Sequence, residues 1–188
     1  MKDPEQIRET VLQLALPLIE AQGLELWGID VTPGPTLKVT LYVEASSGSE
    51  ATGASIDQCE AISRQLSLAM DVEDCIDQPW TLEVSSPGLE RKFFTPAQMR
   101  PYIDRIIEAR LRLPDPATGR KRWLGRLLAV DDAGFGLAPV AISAEGEIRA
   151  EGGERAYLPW DQVAHANLVH IFQMPQKPGK ASSSRKKK

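Results

Sequence analysis

The stretch Trp80-Thr81-Leu82-Glu83-Val84-Ser85-Ser86-Pro87-Gly88-Leu89-Glu90-Arg91 constrains the fold of this chain more than any other. Trp80 to Val84 has the composition of a short strand, since Trp, Thr and Val suit a pleated surface. It runs straight into Ser-Ser-Pro-Gly, where proline presets φ and glycine can take a positive φ. Charge changes sign at the same point. Residues 1–90 carry 16 acidic and 4 basic side chains, net −12, whereas residues 91–126 carry 10 basic and 3 acidic, net +7. A break in backbone chemistry that coincides with a charge reversal predicts a junction between two domains, 1–90 and 91–172. The 188 residues are enough for two small ones.

Before the junction, Asp3-Pro4 predicts a helix start, with Ile7, Val11, Leu14 and Leu18 on one face and Gly23 past the end. Pro17, inside that pattern, is expected to kink the last turn. Leu24–Val31 and Leu37–Val43 read as strands of an antiparallel hairpin around Pro33-Gly34-Pro35, followed by a polar loop over 45–54. Ser55 and Gln58 have capping-box spacing. They open a second helix with Cys59, Ile62, Leu66 and Met70 inward and an acidic end at Asp71-Val72-Glu73-Asp74. With Trp80–Val84 the order is α-β-β-α-β, which packs as two helices on one face of a three-stranded sheet.

Past the junction, Thr95-Pro96-Ala97-Gln98 predicts a short helix that Pro101 stops. Five strands follow: Ile107–Leu113, Arg120–Val130, Phe135–Val140, Ala156–Pro159 and Val163–Leu168. Gly125 marks a bend or bulge, and Trp160-Asp161-Gln162 is a tight corner. That spacing predicts a small β-barrel, making the class α+β. Residues 141–155 read as a polar hairpin extension. The tail 173–188 cannot bury a core and predicts disorder; its six basic and no acidic residues from Lys177 onward could add salt-sensitive affinity for RNA.

Enzyme chemistry finds little support. Ser85 or Ser86 could be a nucleophile with His165 or His170 as base, but Ser-Ser-Pro-Gly is not a Gly-x-Ser-x-Gly elbow, and Pro87 removes a donor where an oxyanion hole needs one. The two histidines have no metal-ligand spacing, and no Gly-rich phosphate loop or paired-carboxylate signature occurs. Cys59 and Cys75 lie outside any CxxC, as expected of free thiols in the cytoplasm. No apolar run approaches the roughly 18–20 residues of a membrane span, and the N-terminus lacks a secretory pattern. No cofactor or metal is expected. Arg110, Arg112, Arg120, Lys121, Arg122 and Arg126 do cluster on two adjacent strands and their turn, with Trp123 interleaved. That suits phosphate contact, with Trp123 either stacking on a base or lying in the core.

The run Leu82 to Arg91 closely resembles the signature of the bacterial ribosome maturation factor RimP family, with Glu90 where the family usually has Asp. The helix Ile56 to Ser67 with Asp71-Val72-Glu73-Asp74 resembles it too, as do Leu24 to Gly28, Arg120 to Gly125 and Trp160 to Leu168. The resemblance implies an N-terminal α/β domain and a C-terminal SH3-like barrel. It also implies a non-enzymatic, monomeric cytoplasmic factor that assists maturation of the small ribosomal subunit, meeting rRNA and a ribosomal protein near the decoding centre. Separate acidic and basic blocks suit such a mixed partner. Asp74, Glu83, Ser85, Ser86, Pro87, Gly88, Glu90 and Arg91 become candidate partner or interdomain contacts, and the arginine cluster candidate rRNA contacts. Charge reversal at Asp74, Glu83 and Glu90 should then weaken protein binding more than rRNA binding. A general RNA-binding or translation-regulating module and a hydrolase using Ser85 or Ser86 are the alternatives.

Overall fold

A computed structural model describes residues 3–46, 53–143, 147–150 and 154–170. The first helix, α1 (Pro4–Ala21), starts where Asp3 accepts a hydrogen bond from the Glu5 N–H at 3.0 Å, satisfying an otherwise orphan donor. Its buried stripe is Ile7, Val11, Ala15 and Ile19, every fourth residue. The expected face holds for Ile7 and Val11 and then rotates, leaving Leu14 and Leu18 partly buried at the flank. The helix continues through Pro17 to Ala21, so the proline does not end it. Gly23 follows at φ +68°, a conformation glycine takes without strain.

Strands β1 (Leu24–Thr32) and β2 (Leu37–Ala45) pair antiparallel, and β3 (Trp80–Ser85) lies parallel to β2, giving the order β1-β2-β3. The parallel step requires a crossover, which α2 (Ile56–Glu73) supplies. The Ser55–Gln58 capping box is formed, and Ile62, Leu66 and Met70 face the sheet. Cys59 is only partly buried at the edge of the stripe. Val39, Leu41 and Val43 of β2 are fully buried at the centre of this first core.

After the junction a 3-10 helix, Pro96–Tyr102, runs through Pro101 rather than stopping before it. The fixed φ of proline suits that tighter turn, and so short a helix depends little on the missing donor. Strands β4 (Ile106–Leu111), β5 (Arg122–Val130), β6 (Gly134–Ile142), β7 (Ile148–Ala150), β8 (Ala156–Pro159) and β9 (Val163–Leu168) form one antiparallel sheet. Its order is β7-β6-β5-β4-β9, with β8 also on β6 and a 3-10 turn, Trp160–Gln162, joining β8 to β9. Among the described residues no strand pairing closes this sheet into a barrel.

Two details differ from expectation, in β4 and in β5, and the alternatives left open for Trp123 resolve to the core. Strand β4 ends at Leu111 and Leu113 is 76% exposed, because the chain already turns toward Pro114. The register shift of β5 falls between Leu127 and Ala129, not at Gly125. Gly125 instead allows close approach of β6: a Cβ there would lie 2.8 Å from the Ala138 carbonyl oxygen. Trp123 is buried with Phe93, Met99, Leu127 and Phe135 in a second core, so it is not a platform for a base. The tail from 171 onward and residues 47–52, 144–146 and 151–153 lie outside the described residues, along with the expectations for them.

Candidate junction and partner-binding surfaces

The two sheets meet through a bulge. The β1–β2 register steps from Leu26–Val43 to Gly28–Tyr42, leaving Trp27 as the extra residue. A bulge re-aims its side chain, and here the indole reaches into the chain after the junction. Its Nε1–H donates to the Lys92 carbonyl at 2.6 Å, and its ring centroid lies 6.3 Å from that of Phe93 in the second core. The Trp27 carbonyl accepts from Gln98 Nε2 at 2.6 Å, while Gln98 Oε1 accepts from the N–H groups of Phe94 and Thr95. The glutamine expected to cap a short helix therefore also ties that helix to β1.

Gly28, next in the strand, lies directly beneath the Phe94 ring. A Cβ at position 28 would fall 2.1 Å from a ring carbon, so only glycine admits the ring. Phe94 then packs against Tyr42 at 5.6 Å between centroids. Successive side chains from Arg91 to Phe94 are thus divided between the two halves. Phe93 enters the second core, and Phe94 covers the first sheet. Lys92 Nζ lies 2.6 Å from both Asp30 oxygens, and the Arg91 guanidinium lies 3.1 Å from Glu44 Oε2. Arg91 also lies 4.8 Å over the Trp27 ring and 5.6 Å over Tyr102, within cation–π range. The same segment is bound to β9, with Phe93 N–H donating to Ala166 O and Leu168 N–H to Arg91 O.

Burial raises the pKa of Glu44 above the ordinary carboxylate value, outweighing the opposing pull of Arg91. Desolvation thus offsets much of the attraction, and the pair fixes geometry more than it adds stability. A raised carboxylate pKa stabilises the fold below the unfolded value and loses that contribution as pH rises through the folded one. Arg91→Ala leaves Glu44 half-buried without its cation. It should cost about 1–3 kcal/mol at neutral pH and distinctly less in acid, where Glu44 is protonated. Denaturant titrations at the two pH values check this.

The candidate contact residues do not form one cluster. Arg91 belongs to the junction. Ser85 Oγ donates to the Ser86 carbonyl at 3.2 Å, Pro87 is buried and Gly88 turns the chain at φ +69°. This is a local turn, as the Ser/Thr preference for nearby backbone groups leads one to expect. Glu83 is exposed on β3 and pairs with Lys38 across the sheet at 2.6 Å. Asp74 ends α2 in the left-handed conformation at φ 49°. Glu90 instead faces a hollow of about 390 Å³ with Lys92, Glu108, Arg110, His165 and Asn167, on the side of the second sheet.

The basic candidates share a surface more closely. Inward residues Ala109, Leu111, Trp123 and Leu127 put Arg110, Arg112, Arg122 and Arg126 on the opposite face. In register, Arg110 stands between Arg122 on β5 and His165 on β9. Arg122 is held by Glu108 in a two-pronged pair at 2.9 and 2.6 Å, which raises its pKa. The side chain of Arg112 donates to Asp161 O and that of Arg126 to Asp104 O. Arg120 lies 5.3 Å over Trp123, and Lys121 is exposed beside it on the connecting turn. Among the described residues Arg110 and Lys121 make no ion pair. The pKa of His165 is lowered, first by burial and then by Lys92, with Arg110 and Arg112 adding to it and Asp30 opposing. These charges make a field for anions.

No group of three or more His, Cys, Asp or Glu side chains among the described residues could hold a metal ion, and no described helix is long and apolar enough to cross a membrane. In this α+β protein an acidic first half of net −12 and a second sheet with a basic face meet through the junction. The family described as the RimP N-terminal domain matches residues 14–90. A ribosome maturation factor RimP of Desulfovibrio desulfuricans is 40% identical over 216 residues, covering 93% of this chain and 84% of its own. The RimP of Nitratidesulfovibrio vulgaris strain DP4 is 42% identical over 168 residues (88% and 92%), and that of Lawsonia intracellularis is 37% identical over 180 residues (90% of each). The chain belongs to the ribosome maturation factor RimP family, a family of assembly factors rather than enzymes.

Trp27, Gly28, Phe94 and Gln98 were not singled out from sequence as junction residues. The clues were a tryptophan followed by glycine in the middle of a strand, and a Phe-Phe pair just after a turn.

Proposed function

We propose that this chain assists maturation of the small ribosomal subunit by binding its free or immature form as a monomer in the cytoplasm. In this reading the acidic half engages a basic ribosomal protein, near the decoding centre, and the basic face of the second sheet engages rRNA phosphates. The observation that carries it is the pairing of family membership with an acidic first half of net −12 and a basic face on the second sheet, joined through the Trp27–Lys92 and Gly28–Phe94 contacts. The units are domains 1–90 and 91–172, followed by a basic tail over 173–188. The second unit is an SH3-like barrel, supported by the β5-β4-β9 ladder, the return of β8 onto β6 and the 3-10 turn before β9.

Phosphate contacts release counterions, so affinity falls with salt in proportion to their number. The test is sedimentation with purified small subunits and with assembled ribosomes over a salt series. The protein should travel with free small subunits and leave assembled ribosomes, with binding that weakens steeply as salt rises. Equal binding to both particles contradicts the reading. The hollow around His165 adds a smaller expectation: phosphate binding beside its lowered pKa favours proton uptake, so His165→Gln should reduce the strengthening of rRNA binding on acidification below neutral pH.

A further inference from the structure

Strand β3 is a sheet edge. The order β1-β2-β3 leaves one side of it without a strand partner among the described residues. The Leu37 N–H donates to the Pro79 carbonyl at 2.9 Å, and Leu37 is in register with Trp80. In a parallel ladder, that bond turns the backbone groups of residues 79, 81, 83 and 85 toward β2. It leaves the N–H and C=O of Trp80, Leu82 and Val84 pointing out of the free edge. Natural proteins cover such an edge or use it.

The edge opens onto a groove of about 750 Å³ between β3 and α2. Leu82 and Val84 point toward the helices yet stay half-buried, unlike their register partners Val39 and Leu41 of β2, which are fully buried. Across the groove α2 contributes Ile56 and Leu68, which are 85% and 64% exposed. Val72, one helical turn beyond Leu68, is exposed as well. The charged rim is formed by Glu60 and Glu83, with Arg64 paired to Glu60 and Lys38 to Glu83.

Backbone donors and acceptors and an apolar floor occur together here, with a charge-balanced rim, in the half of the chain that carries net −12. We infer that β3 and α2 form a strand-addition site for an extended, basic polypeptide segment with apolar residues at alternate positions. Added strands gain main-chain hydrogen bonds from the edge and selectivity from pockets for every second side chain. Charge selects the occupant: residues 1–90 carry net −12, which favours a lysine- or arginine-rich segment over an acidic one. This deepens, and rests on, the reading of the acidic half as the protein-binding face.

The probe is a synthetic ten-residue peptide of alternating lysine and valine, compared with its counterpart N-methylated at every second amide, added to the full chain. Amide exchange of the free chain should be fast at Trp80, Leu82 and Val84 and slow at Thr81, Glu83 and Ser85. The plain peptide should protect the first three, and the N-methylated one should bind at least tenfold more weakly. Leu68→Glu, at an exposed position, should leave the fold intact, weaken peptide binding at least tenfold and reduce sedimentation with free small subunits. The proposal is overturned if the three amides are already protected in the free chain, since its own tail or a second copy then covers the edge. Equal binding of the two peptides overturns it too, as does unchanged peptide binding by Leu68→Glu. The acidic-face reading is tested separately by Asp71→Lys with Glu73→Lys, outside the groove: if subunit binding survives that double change, that reading fails whatever the peptides do.

Discussion

Trp27→Ala should uncouple the two halves of the protein while leaving each folded. The change deletes a large aromatic body, the 2.6 Å bond to the Lys92 carbonyl and the ring beneath Arg91. Truncating a well-packed tryptophan costs about 3–5 kcal/mol, and the partial exposure of this one argues for about 3. The loss falls mainly on the junction, because Trp27 is only partly buried at the margin of the second core, against Phe93, and the fully buried Val39, Leu41, Phe135 and Leu137 lie in the two core interiors. Equilibrium unfolding should therefore pass from one cooperative transition to two. Gly28→Val gives an independent route to the same state, since its side chain must displace the Phe94 ring from Tyr42. A single transition with unchanged midpoint in both variants would mean that the junction does not couple the halves.

Charge reversal on the second sheet is the other large effect. Arg110→Glu with Lys121→Glu removes two cations that make no ion pair among the described residues, so little folded-state interaction is lost. Each phosphate contact accounts for about 0.7–0.9 of the salt slope, so the double change should lower the slope by about 1.5 and weaken rRNA binding 10–100-fold at low salt. Arg122→Glu is a less clean probe. It also breaks the two-pronged pair with Glu108 and sets two carboxylates diagonally across β4 and β5, since Glu108 stands opposite Leu124. Unfolding midpoints should separate the two: unchanged for the Arg110 and Lys121 double variant, lowered for Arg122→Glu.

What could be read in advance follows from which interactions are local. Helix starts at Asp3 and Ser55, the alternation of Leu37 to Val43 and the turn at Pro87-Gly88 depend on near neighbours, and their residues name them. The parts that sequence could not supply are tertiary. Trp27 reads as an ordinary strand residue until the bulge turns it outward, and Gly28 reads as a weak point until Phe94 fills its space. Trp123 lies among arginines in sequence, yet strand alternation buries it with Leu127 and Phe135. Glu90 belongs by sequence to the acidic half, but the turn carries it to the hollow shared with Arg110 and His165. The charge boundary at Glu90–Arg91 was visible. That Arg91 and Lys92 pair back onto Glu44 and Asp30, making the boundary itself the lock, depends on contacts more than 45 residues apart in sequence.

The division of surfaces is tested most directly by photo-crosslinking on free small subunits. A photo-reactive side chain is placed in turn at position 121, on the basic turn, and at position 73, at the acidic end of α2. Position 121 should cross-link to rRNA and position 73 to ribosomal protein. If both positions cross-link to rRNA alone, or both to protein alone, the two faces do not divide the particle between them and the account is wrong.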